Sequence, residues 1–197
     1  MATWQAARGQ IAERFDEIVK DSTLYLVTVG NPTKAHLIAG QFSLRDTLST
    51  HVGFAARQDG QLKVYHVTDV NPKKSALRKE SLVEFLQTSR YNYVSIWRVA
   101  LSNRDFRSIM DQIELVSQRE VSFDYDFDLA NGNALYCSEF CAAILNSAVI
   151  DGMHFAPEKR TLSEFYQKVL KREVLTYYPV DFFQSSYRMV KLAEDRQ

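Results

Sequence analysis

Residues 50–68 read THVGFAARQDGQLKVYHVT, two β-rich runs folded about Asp59-Gly60. An Asp-Gly pair between such runs is a strong signal for a two-residue hairpin, because both central residues of that turn need positive φ. The turn length then fixes the pairing: Gln58 faces Gln61, Gly53 faces His66, and His51 faces Thr68. His51 and His66 share one face as diagonal neighbours, about 7–8 Å apart at the backbone, within reach of a contact between their rings. A three-residue turn would place them on opposite faces. Gly53, two residues from His51 on the same face, is expected to leave room for substrate or for a packed helix.

Outward from the hairpin, Leu24 to Val29 is a β-rich run closed by Gly30-Asn31-Pro32, and Asn92 to Val99 is an aromatic, β-branched strand. Trp4, Ala7, Ile11, Phe15 and Ile18 recur at helical spacing, which predicts an amphipathic helix over residues 1–20 as an appendage to the body. Lys79 to Thr88 reads as a short helix. Ser102 to Arg119 reads as a longer one, capped by Ser102 or Asn103. The acidic, aromatic stretch from Phe123 to Asn133 reads as a loop leading into an apolar helix, Leu135 to Asn146. A helix near Thr161 to Lys171, a strand near Glu173 to Tyr178, a turn after Pro179 and a strand near Ser186 to Leu192 complete the chain. With no repeat or linker, residues 1–197 are expected to form one domain of α+β class, mostly antiparallel.

The 24 basic and 24 acidic residues leave no net charge, which disfavours nucleic acid or an anionic membrane face as partner. The first 20 residues lack the basic start, apolar run and cleavage site of a signal peptide. No apolar run reaches the roughly 18 residues that span a bilayer. A cytoplasmic location is the expectation, with signal-independent secretion as the alternative. Cys137 and Cys141 lie four apart on one expected helix, where a disulfide between them is geometrically poor, so two free thiols are expected.

A thiol becomes nucleophilic when its thiolate is stabilised, and the first turn of a helix offers unpaired N–H groups and the positive dipole end. Cys137 falls in such a turn. The same amides could hold the oxyanion of a tetrahedral intermediate. Against this stands a plain reading, a small buried apolar side chain, just as either histidine alone could be a buried core residue. The histidine pair shifts the balance: one ring could take the thiol proton while the second orients it. Two histidines and a cysteine could also ligate zinc or copper, but no carboxylate or fourth ligand has recognisable spacing, so no metal and no cofactor are expected. His36, in a polar loop, and His154, after Asp151-Gly152, read as surface or structural residues. Asp124, Asp126 and Asp128 alternate with Phe123, Tyr125 and Phe127 and read as solvated carboxylates with buried rings, since an EF-hand's Gly and distant Glu are missing. Phosphate loops, CxxC pairs, GxSxG and HExxH are absent from the sequence.

The segments Ser49-Thr50-His51-Val52-Gly53-Phe54 and Leu135-Tyr136-Cys137-Ser138-Glu139-Phe140, histidine before cysteine, resemble the two signature segments of the YiiX-like, circularly permuted NlpC-type papain superfamily. The likeness extends through Phe123-Asp124-Tyr125-Asp126-Phe127 and Tyr178-Pro179-Val180-Asp181-Phe182 and covers most of residues 21–192. It implies a papain-like, antiparallel, β-barrel-like sheet packed on the cysteine helix, with Cys137 as nucleophile and His51 as base. The third position, frequently an acid in this branch, is here His66, resembling the His-His-Cys arrangement of lecithin retinol acyltransferase relatives. The resemblance also implies reaction at an acyl carbon of a peptide, amide or acyl-lipid, as hydrolase or acyltransferase. Tyr136, Ser138 and Glu139 flank the nucleophile as candidates for substrate binding or support. A binding protein that keeps the fold without turnover is the reading from outside the enzymes.

Overall fold

The computed structural model describes residues 2–31, 41–69, 75–88 and 91–196, with side chains except at 2–9 and 87–88. His36 lies outside the described residues, and Trp4 and Ala7 are described in their backbone alone. The body is a six-stranded sheet built from β1 (Tyr25–Gly30), β2 (His51–Gln58), β3 (Gln61–Val67), β4 (Leu77–Ser81), β5 (Tyr93–Val99) and β10 (Met189–Arg196). Its strand order is β10-β5-β1-β2-β3-β4, and every neighbouring pair is antiparallel. The fold is α+β. The sheet is open, which corrects the barrel-like expectation: β4 and β10 are separate edges. Both are charged, with Arg78, Lys79 and Glu80 on one and Lys191, Glu194 and Arg196 on the other, a composition that opposes further strand pairing.

Period-two alternation gives the sheet two apolar faces. Val52, Phe54, Tyr65 and Val67 pack under helix α4 (Cys137–Ser147), together with Ile109, Ile113 and Val116 of α3 (Asn103–Ser117). Tyr25, Val27, Ala55 and Val64 form the other face. It is covered by α1 (Ala2–Ile18) through Ile11 and Phe15 and by α2 (Leu82–Thr88) through Leu82 and Phe85. The N-terminal helix thus carries part of a core. A smaller unit comprises β8 (Glu158–Thr161), α5 (Glu164–Leu170) and β9 (Val174–Tyr177), with β6 (Ser122–Phe123) and β7 (Ala134–Leu135) pairing in parallel just before α4. No described helix is long and apolar enough to cross a membrane.

A file of buried polar groups crosses the sheet ahead of β2. Trp97 Nε1–H donates to Ser95 Oγ (2.8 Å), Ser95 Oγ lies 2.8 Å from Thr28 Oγ1, and Ser49 Oγ lies 2.8 Å from Thr28 Oγ1 and 2.6 Å from Asp46 Oδ2. Each hydroxyl has one hydrogen, so the file satisfies itself when every proton points towards the carboxylate. Burial works against the Asp46 charge, but hydrogen bonds from Ser49, Gln184 and the amides of Leu48 and Ser49 hold its pKa below the usual value.

Candidate active site

The hairpin forms as its turn chemistry requires. Asp59 (φ 50°) and Gly60 (φ 73°) are both left-handed, and Gln58 pairs with Gln61. The β2–β3 ladder runs to Phe54↔Tyr65 and ends there, so the expected facing of His51 with Thr68 is not part of it. The two histidines still meet: His51 Nε2 lies 2.8 Å from His66 Nδ1, with the rings edge to face at 5.0 Å. They lie on the α1/α2 side of the sheet, opposite the face under α4, where the ring of Phe85 packs against both, 4.9 Å from His66 and 5.8 Å from His51. His66 is buried, and its Nε2 lies 3.4 Å from Glu80 Oε2 on β4.

Gly53 does not open space for a ligand. A Cβ there would sit 2.8 Å from both His66 Cβ and the Tyr65 carbonyl oxygen, so the glycine permits the close strand approach that joins the histidines. Gly53→Ala is expected to destabilise the protein by about 1–3 kcal/mol and to separate the rings. Chemical denaturation with histidine NMR checks both, and an unperturbed ring pair would refute the packing role.

Cys137 opens α4, buried, with Tyr136 as the N-cap residue in extended conformation. The backbone N–H of Val52, the amide that follows His51, favours the Cys137 thiolate. Burial pushes the Cys137 thiol up, and the amides of Val52, Ser138 and Cys137 pull it only partly back. The helix start does not by itself lower the thiol's pKa. Cys141, fully buried one turn on, is pushed up further by burial and by the Cys137 sulfur. Both thiols are free.

The flanking residues hold the first turn of α4 in place. Ser138 Oγ donates to the Tyr178 carbonyl (2.7 Å), and the Tyr178 N–H donates to Tyr136 Oη (2.7 Å). Glu139 Oε2 accepts the Tyr136 N–H at 3.3 Å. All three side chains are buried. In the preceding loop, Asp124 is buried and accepts from the amides of Asp126 and Asp128, while Tyr125 is exposed; the expected pattern of wet acids and dry rings is reversed at these two positions by that capping.

Burial, with the Asp124 and Asp128 charges adding to it, raises the Glu139 carboxyl from 4.5 to about 8. The folded state then keeps a proton that the unfolded chain releases, so the stability this proton contributes is complete below about pH 4.5 and is lost as pH rises towards about 8. Glu139→Gln is expected to melt higher than the wild type at pH 8 and to lose that advantage at pH 5. Identical pH slopes in the two melting series would refute it.

No family model matches the chain, and no curated protein matches it. Among solved structures, it superimposes on the metalloprotein YiiX from Escherichia coli O157:H7, DUF1105, with a TM-score of 0.67 at 14% identity, covering 90% of this chain and 99% of that one. The fold is YiiX-like.

Sequence reading missed Glu80, Phe85, the Val52 amide and the Tyr178 clamp. The signal for Glu80 was present, since Leu-Arg-Lys-Glu-Ser alternates as a charged edge strand, but the good helix formers that follow it obscured the boundary.

Proposed function

We propose that this chain is a cysteine-dependent hydrolase of the permuted NlpC-type, papain-like class, acting on the acyl carbon of a peptide, amide or acyl-lipid substrate. The observation that carries the reading is the bonded histidine pair, with His51 preceding on β2 the Val52 amide that favours the Cys137 thiolate. His51 takes the Cys137 proton, the sulfur attacks the carbonyl carbon, and the first-turn amides of α4 receive the oxyanion. Collapse of the intermediate breaks the acyl bond, and His51 returns the proton to the leaving group. Water, deprotonated by His51, then releases the acyl group from sulfur. Transfer of that acyl group to a second nucleophile instead of water would make the same site an acyltransferase.

YiiX is described as a metalloprotein. Among the described residues no group of three or more His, Cys, Asp or Glu side chains is arranged to hold an ion, and the nitrogens by which the two rings approach are engaged with each other.

Intact-mass analysis after incubation with acyl-amide, ester and thioester panels tests the proposal. The expected result is a single acyl adduct that is absent from Cys137→Ala and retained in Cys141→Ala. A chain that neither acquires an adduct nor turns over any panel member overturns it in favour of a binding protein.

A further inference from the structure

We infer that Glu80 is a positioning residue that dictates the tautomers of both histidines; its consequence at Cys137 rests on the hydrolase reading, but its own test does not. Glu80 stands on the edge strand β4, paired with Val64 and hence on the sheet face that carries His66. Its Oε2 lies 3.4 Å from His66 Nε2, a long contact whose effect is directional rather than that of a tight anchor. A carboxylate accepts hydrogen bonds and donates none, so the His66 proton belongs on Nε2. A neutral imidazole has one N–H, which leaves His66 Nδ1 as an acceptor. That acceptor lies 2.8 Å from His51 Nε2, which must therefore carry the His51 proton. His51 Nδ1 is then a lone pair, the form a base needs in order to take a proton from sulfur. One acceptor-only group at the end of β4 thus orients two rings in sequence, with Phe85 packed against both.

Glutamine is the informative replacement because it keeps the shape and gains a donor. An amide N–H aimed at His66 Nε2 would reverse the file: His66 would hold its proton on Nδ1, His51 would accept at Nε2, and His51 Nδ1 would be blocked by a hydrogen. Imidazole nitrogen–proton correlation spectra of the full chain are expected to show both histidines protonated on Nε2 in the wild type. Glu80→Gln is expected to move the His66 proton to Nδ1 and to slow alkylation of Cys137 by iodoacetamide about tenfold. Glu80→Asp is expected to keep the wild-type tautomers. A wild-type His66 protonated on Nδ1 overturns the inference, even if Glu80→Gln does not fold, and so do tautomers unchanged in a folded Glu80→Gln. If the tautomers behave as expected while Cys137 is alkylated no faster than in His51→Ala, the hydrolase reading fails and the role of Glu80 stands.

Discussion

His51→Ala is expected to slow acylation of Cys137 by about 10²- to 10⁴-fold, the range that a positioned general base contributes. The size of the effect follows from the state of the thiol. A cysteine already held as thiolate would lose little with its histidine, but burial keeps the Cys137 pKa up despite the amides of Val52, Ser138 and Cys137. In the proposed mechanism the proton leaves to His51, which precedes on β2 the Val52 amide that favours the thiolate. His66→Ala should cost less, because it removes an orienter and leaves the base. Rapid-quench mass measurement of the adduct, using whichever panel member labels the wild type, reads both rates. A His51→Ala variant that acylates at the wild-type rate would refute the assignment.

Phe140→Ala is expected to lower stability by about 3–5 kcal/mol. Phe140 is fully buried in the core between the sheet and α4, 5.8 Å edge to face from Phe54. Its own amide makes the first backbone hydrogen bond of the helix, to the Tyr136 carbonyl. Alanine leaves a void beneath the turn that presents the thiol, between that turn and the strand that carries His51. Denaturant unfolding measures the loss, and the rate of Cys137 alkylation measures the loosening of the helix start. A cost below about 1 kcal/mol would mean that the ring is not packed as described.

The hairpin is legible in the sequence because Asp59-Gly60 admits one tight turn, and the histidine contact follows from its arithmetic. The helix that carries Cys137 is legible from the apolar run after Asn133, but its expected start at Leu135 is two residues early, because Ala134–Leu135 pairs as β7 and the helix begins at Cys137. Other features depend on contacts remote in the chain. Lys79 to Ser81 reads as helix because edge strands carry charges and the next seven residues do form a helix. β8 is an exposed strand of Glu-Lys-Arg-Thr, with no apolar period to reveal it. The side of the sheet on which the rings lie cannot be read locally, since both faces of β2 and β3 are apolar and only the packing of Phe85 distinguishes them. Gly53 can be read either as space or as crowding until His66 stands opposite it.

The polar file from Trp97 to Asp46 has a consequence for assembly of the strands. Sliding β1 by one residue against its neighbours would bring Val27 or Val29 to the place of Thr28, leaving the Ser95 hydroxyl without its acceptor and Ser49 without its donor in an apolar interior. Slipped alignments are thereby penalised while the correct one is self-satisfied, as a key turns in a single lock. The strand bearing His51 begins two residues beyond that key, so the alignment of the histidine pair is decided by hydroxyls that touch neither ring.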